Sequence, residues 1–171
     1  MKKLLLASLV FSLVGMSVTA QEDKPIVSRS ATQKYAAIPG VPDCVTLAVL
    51  RGDSGKGPSV VEMKLTAGCL VPWHWHSGAE SVVPLSGLLE VTMKDAKPTL
   101  FANGDYGYLP AKHIHQAKCS GSKPCSAVFV LDTAFDIHYV DKSGSEIPAE
   151  KALAEAEKLK TKQGAKPAPK P

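Results

Sequence analysis

The sequence predicts an all-β domain, a sandwich or barrel of short strands, with one helix at its C-terminal end. Three observations predict it. From Cys44 onward, short runs alternate apolar and polar residues, the period of a half-buried strand. Turn formers separate the runs, in "GDSGKGP", "SGA", "KDAKP", "NGD" and "SGSKP". After Pro148 the period changes, and Ala152, Leu153, Ala156 and Leu159 recur at helical spacing.

Taken in order, residues 1–20 read as a secretory signal peptide: Lys2 and Lys3, then "LLLASLVFSLVGM", then the small residues of "VTA" before a cleavage point after Ala20. The apolar run is short for a bilayer span, so no stable membrane insertion is expected after cleavage, and the mature chain is expected to be periplasmic or secreted. Residues 21–42, polar and containing three prolines, read as an extended N-terminal arm. Residues 43–147 form the β domain. "VVEMKLT" places Val61, Met63 and Leu65 on one face and Glu62 and Lys64 on the other; "LLEVTMK" repeats this with Leu89, Val91 and Met93 against Glu90, Thr92 and Lys94. "SAVFVLD" and "FDIHYVD" read as further strands. Residues 148–163 form the helix: Pro148 suits a first helical position, Glu150 the first turn, and Lys158, Lys160 and Lys162 the end where the helix dipole favours cations. Residues 164–171 are a Lys/Pro/Ala-rich tail.

The formal charge of +4 belongs to the ends of the chain. Without Lys2 and Lys3 it is +2, and the five lysines of 158–171 leave residues 21–157 at −3. A nucleic-acid role needs a basic face on the folded domain, and the sequence offers none.

Export makes the four cysteines, Cys44, Cys69, Cys119 and Cys125, candidates for disulfides. "CSGSKPC" sets Cys119 and Cys125 at either end of a Gly/Pro turn, which favours that pair, with Cys44–Cys69 as the second. A four-cysteine zinc site is the rival, but no C-x2-C pair exists to start one.

The chemistry concentrates in "PWHWHSGAESVVPLSG", residues 72–87. Strand geometry puts His74 and His76 on one face and Trp73 and Trp75 on the other. The "SGA" turn then brings Glu80 beside the histidines. Imidazole with carboxylate suits a divalent first-row metal rather than the oxygen shells of calcium or magnesium. A further imidazole is available in "YLPAKHIHQAKC", from His115 or His113.

This segment resembles the first motif of the cupin superfamily, G-x5-H-x-H-x3-E-x6-G, through Gly68, His74, His76, Glu80 and Gly87. The second motif, G-x5-P-x-G-x2-H-x3-N, aligns with Gly104, Pro110 and His115, with Lys112 in place of a glycine and Cys119 in place of the asparagine. The resemblance implies a double-stranded β-helix, a jelly-roll barrel of six to eight strands, around one metal. It implies His74, His76, Glu80 and His115 as ligands of one divalent transition metal (Fe, Mn, Ni, Cu or Zn). His113 shares the strand parity of His115; Pro110 sets the count in favour of His115, which leaves His113 beside the site or at the pocket mouth. Tyr108, Gln116, Tyr106 and Lys112 are candidate mouth residues, and Glu80 is a candidate base. His138 reads as an ordinary strand residue.

With Trp73 and Trp75 pointing outward, packing beneath the arm or helix is one role and a homodimer interface another. The sequence thus supports an exported metal-binding protein. It acts either as a metal-dependent oxidoreductase of dioxygenase type on a small organic molecule or as a non-catalytic binder of metal or small ligand. A metal-free structural role fits least, because buried imidazoles and a carboxylate need partners.

Overall fold

The computed structural model describes residues 25–164, with side chains through residue 159. The leader expected at 1–20 and residues 165–171 of the tail lie outside the described residues. Among the described residues eleven strands form two antiparallel sheets. They are β1 (Ala36–Ala37), β2 (Val45–Gly52), β3 (Ser59–Leu65), β4 (Leu70–Trp75), β5 (Glu80–Ser86), β6 (Leu88–Met93), β7 (Thr99–Phe101), β8 (Gly107–Leu109), β9 (His115–Ser120), β10 (Cys125–Leu131) and β11 (His138–Tyr139). One sheet runs β1-β2-β3-β10-β5-β8 and the other β11-β4-β9-β6-β7. One α-helix among the described residues, α1 (Ala149–Gly164), packs against β4 and β11. The strands exceed the six to eight expected because the four edge strands, β1, β8, β11 and β7, are short pieces of two or three residues.

The alternating runs became strands with their apolar faces turned to a common interior. Val61, Met63 and Leu65 from β3, Leu89 and Val91 from β6, and Phe129 and Leu131 from β10 meet there. Fully burying one such side chain stabilises a fold by about 1.5–3 kcal/mol. Glu62 departs from the expected outward, exposed face: it is buried. Tyr35 lies beside both Glu62 and Lys64, with the Lys64 ammonium 3.7 Å from its ring centroid, so chain ahead of β1 covers this part of the sheet.

The arm therefore does more than lead in. It includes β1, which pairs with β2, and it delivers Val41 to the core and Ile38 to its edge. The Tyr139 hydroxyl donates to the Gly40 carbonyl at 2.9 Å and ties the arm to β11. The helix buries Ala152 and Ala156, whereas Leu159 of the expected stripe is exposed. "FDIHYVD" contributes only two strand residues; its first part is a loop, and that loop reaches the site.

Both disulfides form, Cys44–Cys69 between the end of the arm and the start of β4, and Cys119–Cys125 between β9 and β10. Every described cysteine is thereby paired. No described helix is long and apolar enough to cross a membrane.

Candidate metal centre

Three strands and one turn place the site. His74 in β4 lies directly opposite His115 in β9. His76 follows β4, and the chain reverses through 77–79 so that Glu80 opens β5 in the facing sheet. Between Val71 and His74 the β4–β9 register shifts. That bulge lets both residues face the interior, an odd spacing that regular alternation forbids. Pro72 sits within it, at a point where no ladder donor is demanded of the chain.

The backbone then orients each imidazole. The Nδ1 of His74 faces the Pro72 carbonyl at 2.5 Å, that of His115 faces the His113 carbonyl at 2.9 Å, and that of His76 faces the Asp136 carbonyl. A carbonyl oxygen only accepts, so each Nδ1 carries the proton and donates it. In the neutral rings, each Nε2 is left with a bare lone pair. The three histidines place ligand nitrogens within 4.8 Å of one another, and all three rings are at least nine-tenths buried.

Glu80 faces the same point. Its carboxylate oxygens stand 3.6 Å from the His115 Nε2 and 3.7 Å from the His76 Nε2, and it too is buried. Burial opposes its charge, but the imidazoles of His115 and His76 more than offset this and hold the carboxyl below the usual carboxylate range. His74 goes the other way in charge: burial, with His115 and His76 beside it, holds the imidazole well below its ordinary value and therefore neutral. When the rings are neutral, three bare nitrogens beside a carboxylate in an apolar interior are acceptors facing acceptors. One cation among the three histidine nitrogens would satisfy them, and imidazoles with a carboxylate nearby suit a transition metal.

The other sequence candidates lie elsewhere. His113 is exposed and contributes only its carbonyl, through His115. Tyr106 and Tyr108 are exposed on the outer surface, Tyr106 sharing a 2.9 Å hydrogen bond with Ser81. Gln116 points away from the cavity, because its neighbours His115 and Ala117 face inward. Lys112 is exposed, and its φ of 62° is the left-handed conformation that the glycine of the second motif would adopt freely. Its N–H donates to the His76 carbonyl at 2.8 Å, so the turn is made despite the lysine. Cys119, at the asparagine position, is committed to its disulfide.

Sequence reasoning missed the loop 132–137. Phe135 packs on the His76 ring with centroids 5.4 Å apart, and Asp136 holds His76 through its carbonyl while its carboxylate accepts from the Ser77 N–H at 2.8 Å. The signal was slight: "DTAFD" has no strand period, and the group that orients His76 is a backbone oxygen. Of the outward tryptophans, Trp75 is covered from within the chain, its ring stacked on His138 at 3.9 Å. His138 in turn reaches the Asp136 carboxylate at 3.3 Å, which links it to the loop that holds His76.

A two-sheet jelly roll with three buried imidazoles and one carboxylate clustered between its sheets defines a class of protein, and the comparisons name it. Residues 61–131 match the model of the cupin domain. The match and the fold together support a single cupin domain. It is similar in structure to the polyketide cyclase RemF from Streptomyces resistomycificus, at 16% identity and a TM-score of 0.59, over 76% of this chain and 99% of that one. It is also similar to a predicted oxalate decarboxylase from Thermotoga maritima, at 22% identity and a TM-score of 0.55, over 63% and 99%. The DMSP lyase DddQ from Ruegeria pomeroyi DSS-3 is similar at 18% identity and a TM-score of 0.52, over 74% and 72%. At these identities the likeness is one of fold. No curated protein matches the sequence.

Proposed function

We propose that this chain is an exported, metal-dependent cupin enzyme acting on a small organic molecule, with His74, His76, His115 and Glu80 as the ligands of one divalent transition metal. The observation that carries the reading is the orientation of the imidazoles: three backbone carbonyls take the Nδ1 protons of rings whose ligand nitrogens cluster within 4.8 Å, two of them beside one buried carboxylate. When bound, the metal supplies an electrophilic centre with open coordination positions for substrate, or for O2 if the ion is redox-active. The residues of the chain do the rest. His74, His76 and His115 would hold the ion, the apolar wall excludes water, and Glu80, on releasing the ion, is the candidate base. The structures similar in fold include a cyclase and a lyase, proteins that act on small molecules. A dioxygenase-type oxidoreductase is the form of this proposal in which the ion is iron, manganese, nickel or copper.

Export is supported by the leader motif and by two disulfides, which persist in oxidising compartments. Homodimerisation is a separate proposal that this site does not require, since one chain supplies all four proposed ligands. Metal removal and reconstitution test the enzyme reading: turnover of a substrate must disappear with the ion and return with it. A protein that retains its ligand unconsumed through reconstitution is a binder, not an enzyme.

A further inference from the structure

The space in front of the histidines has an apolar wall and a guarded edge. The cavity is about 50 Å³. An apolar cavity that binds benzene measures about 150 Å³ on this scale, so the barrel takes a body smaller than a benzene ring. Apart from His74, His76 and Glu80, its lining is hydrocarbon, aromatic or thioether, with Met63, Leu65, Leu89 and Phe129 among the contributors. Among the described residues, no lysine, arginine or amide side chain reaches it. A ligand with a second charge would bury that charge without a partner, which is strongly unfavourable.

Phe135 is a wall shared by three spaces. One is the barrel cavity. The second is a crevice of about 10 Å³ beside Gly78, Thr133 and Asp136 that touches His76 and Glu80. The third is an outer groove of about 390 Å³ bounded by Ala36, Pro39, Leu47 and Ser54. Ile38, from the arm, is shared by the cavity and that groove. The Phe135 N–H donates to the Ser54 carbonyl at 2.7 Å, so its backbone is fixed and rotation of the ring is the motion left to open the passage.

Resting on the metal reading above, we infer that Phe135 and Ile38 gate the barrel from the outer groove and set the size of its ligand. That ligand is a compact molecule with a single metal-binding head and a short uncharged body. A dianion is excluded, and so is an aryl group.

The test uses the mature protein as wild type, Phe135→Ala, Ile38→Ala and the surface control Leu85→Ala. Cobalt(II)-loaded protein is titrated with acetate, phenylacetate and succinate, read by the visible absorption of the ion; xenon exchange with the metal-free protein is followed by xenon NMR. The wild type is expected to respond to acetate alone. Phe135→Ala is expected to bind phenylacetate at least about tenfold more tightly than the wild type does. Xenon exchange is expected to quicken in Phe135→Ala and Ile38→Ala and to stay unchanged in Leu85→Ala. Wild-type affinity for phenylacetate or succinate equal to that for acetate overturns the ligand class. Identical xenon exchange in wild type and Phe135→Ala overturns the gate. Failure to take up cobalt overturns the metal reading and the head group with it, while the xenon comparison still decides the gate.

Discussion

The Nε2 of His115 stands 3.6 Å from a carboxylate oxygen of Glu80, while its Nδ1 donates to the His113 carbonyl on the other side of the ring. With the His115 ring neutral, the pair faces each other without a proton to share. His76 repeats the arrangement at 3.7 Å. A cation between them, metal or proton, is what the geometry asks for, and the backbone carbonyls create that demand.

Acid should unfold the metal-free protein earlier than carboxylates alone account for. His74 has a folded-state pKa well below 6.5, so below pH 6.5 the unfolded chain takes up a proton that the folded chain refuses. Stability is then lost as pH falls through that window, by at most about 1.4 kcal/mol per pH unit for this group. Glu80, whose folded-state pKa lies below 4.5, adds a second loss only beneath that value. Thermal melts of metal-free protein between pH 8 and 5 check the first loss. In His74→Gln the slope across that range should shrink; an unchanged slope assigns the effect elsewhere.

Two substitutions at left-handed positions should act with opposite sign. Lys112 holds a φ of 62°, a conformation that costs a side-chain-bearing residue roughly 1–2 kcal/mol. Lys112→Gly removes that strain and loosens the unfolded chain, for a net gain of about 0.5–1 kcal/mol. Gly87, at φ 77°, has the Pro124 carbonyl oxygen 2.5 Å and the Cys125 Cα 2.8 Å from where a Cβ would stand. Gly87→Ala should therefore cost about 2–4 kcal/mol from strain and overpacking together. Urea midpoints read both; a destabilised Lys112→Gly would show that the lysine side chain contributes more than its backbone strain costs.

Much of this was legible in the sequence. The alternation in "VVEMKLT" and "LLEVTMK" gave the strands because one face had to be dry, and the spacing of His74, His76 and Glu80 gave the cluster because alternation and one turn suffice to join them. The illegible parts depend on chain far away. Glu62 is buried because Tyr35 and its neighbours cover it, which no local period reports. Asp136 acts through its carbonyl, sixty residues from the histidine it orients. Gln116, by contrast, was decidable: a neighbour of an inward His115 faces outward.

Losing either disulfide should destabilise the domain, the longer loop more. Cys44–Cys69 closes a separation of 25 residues and Cys119–Cys125 one of 6, which correspond to roughly 3–4 and 2–3 kcal/mol of unfolded-chain entropy. Paired alanine substitutions, measured by urea unfolding, check the order. The Cys44/Cys69 variant should also loosen the arm that carries Ile38, seen as faster amide exchange around residues 36–41; equal exchange in both variants would detach the arm from that disulfide.

Elemental analysis of the purified mature protein, as wild type and as His76→Ala, tests the central claim most directly. The account predicts one equivalent of a divalent transition metal per wild-type chain and loss of most of it in His76→Ala, with the β-sheet circular dichroism of the two proteins alike. Equal metal content in a folded His76→Ala, or a wild type that takes up no such ion on reconstitution, would contradict it.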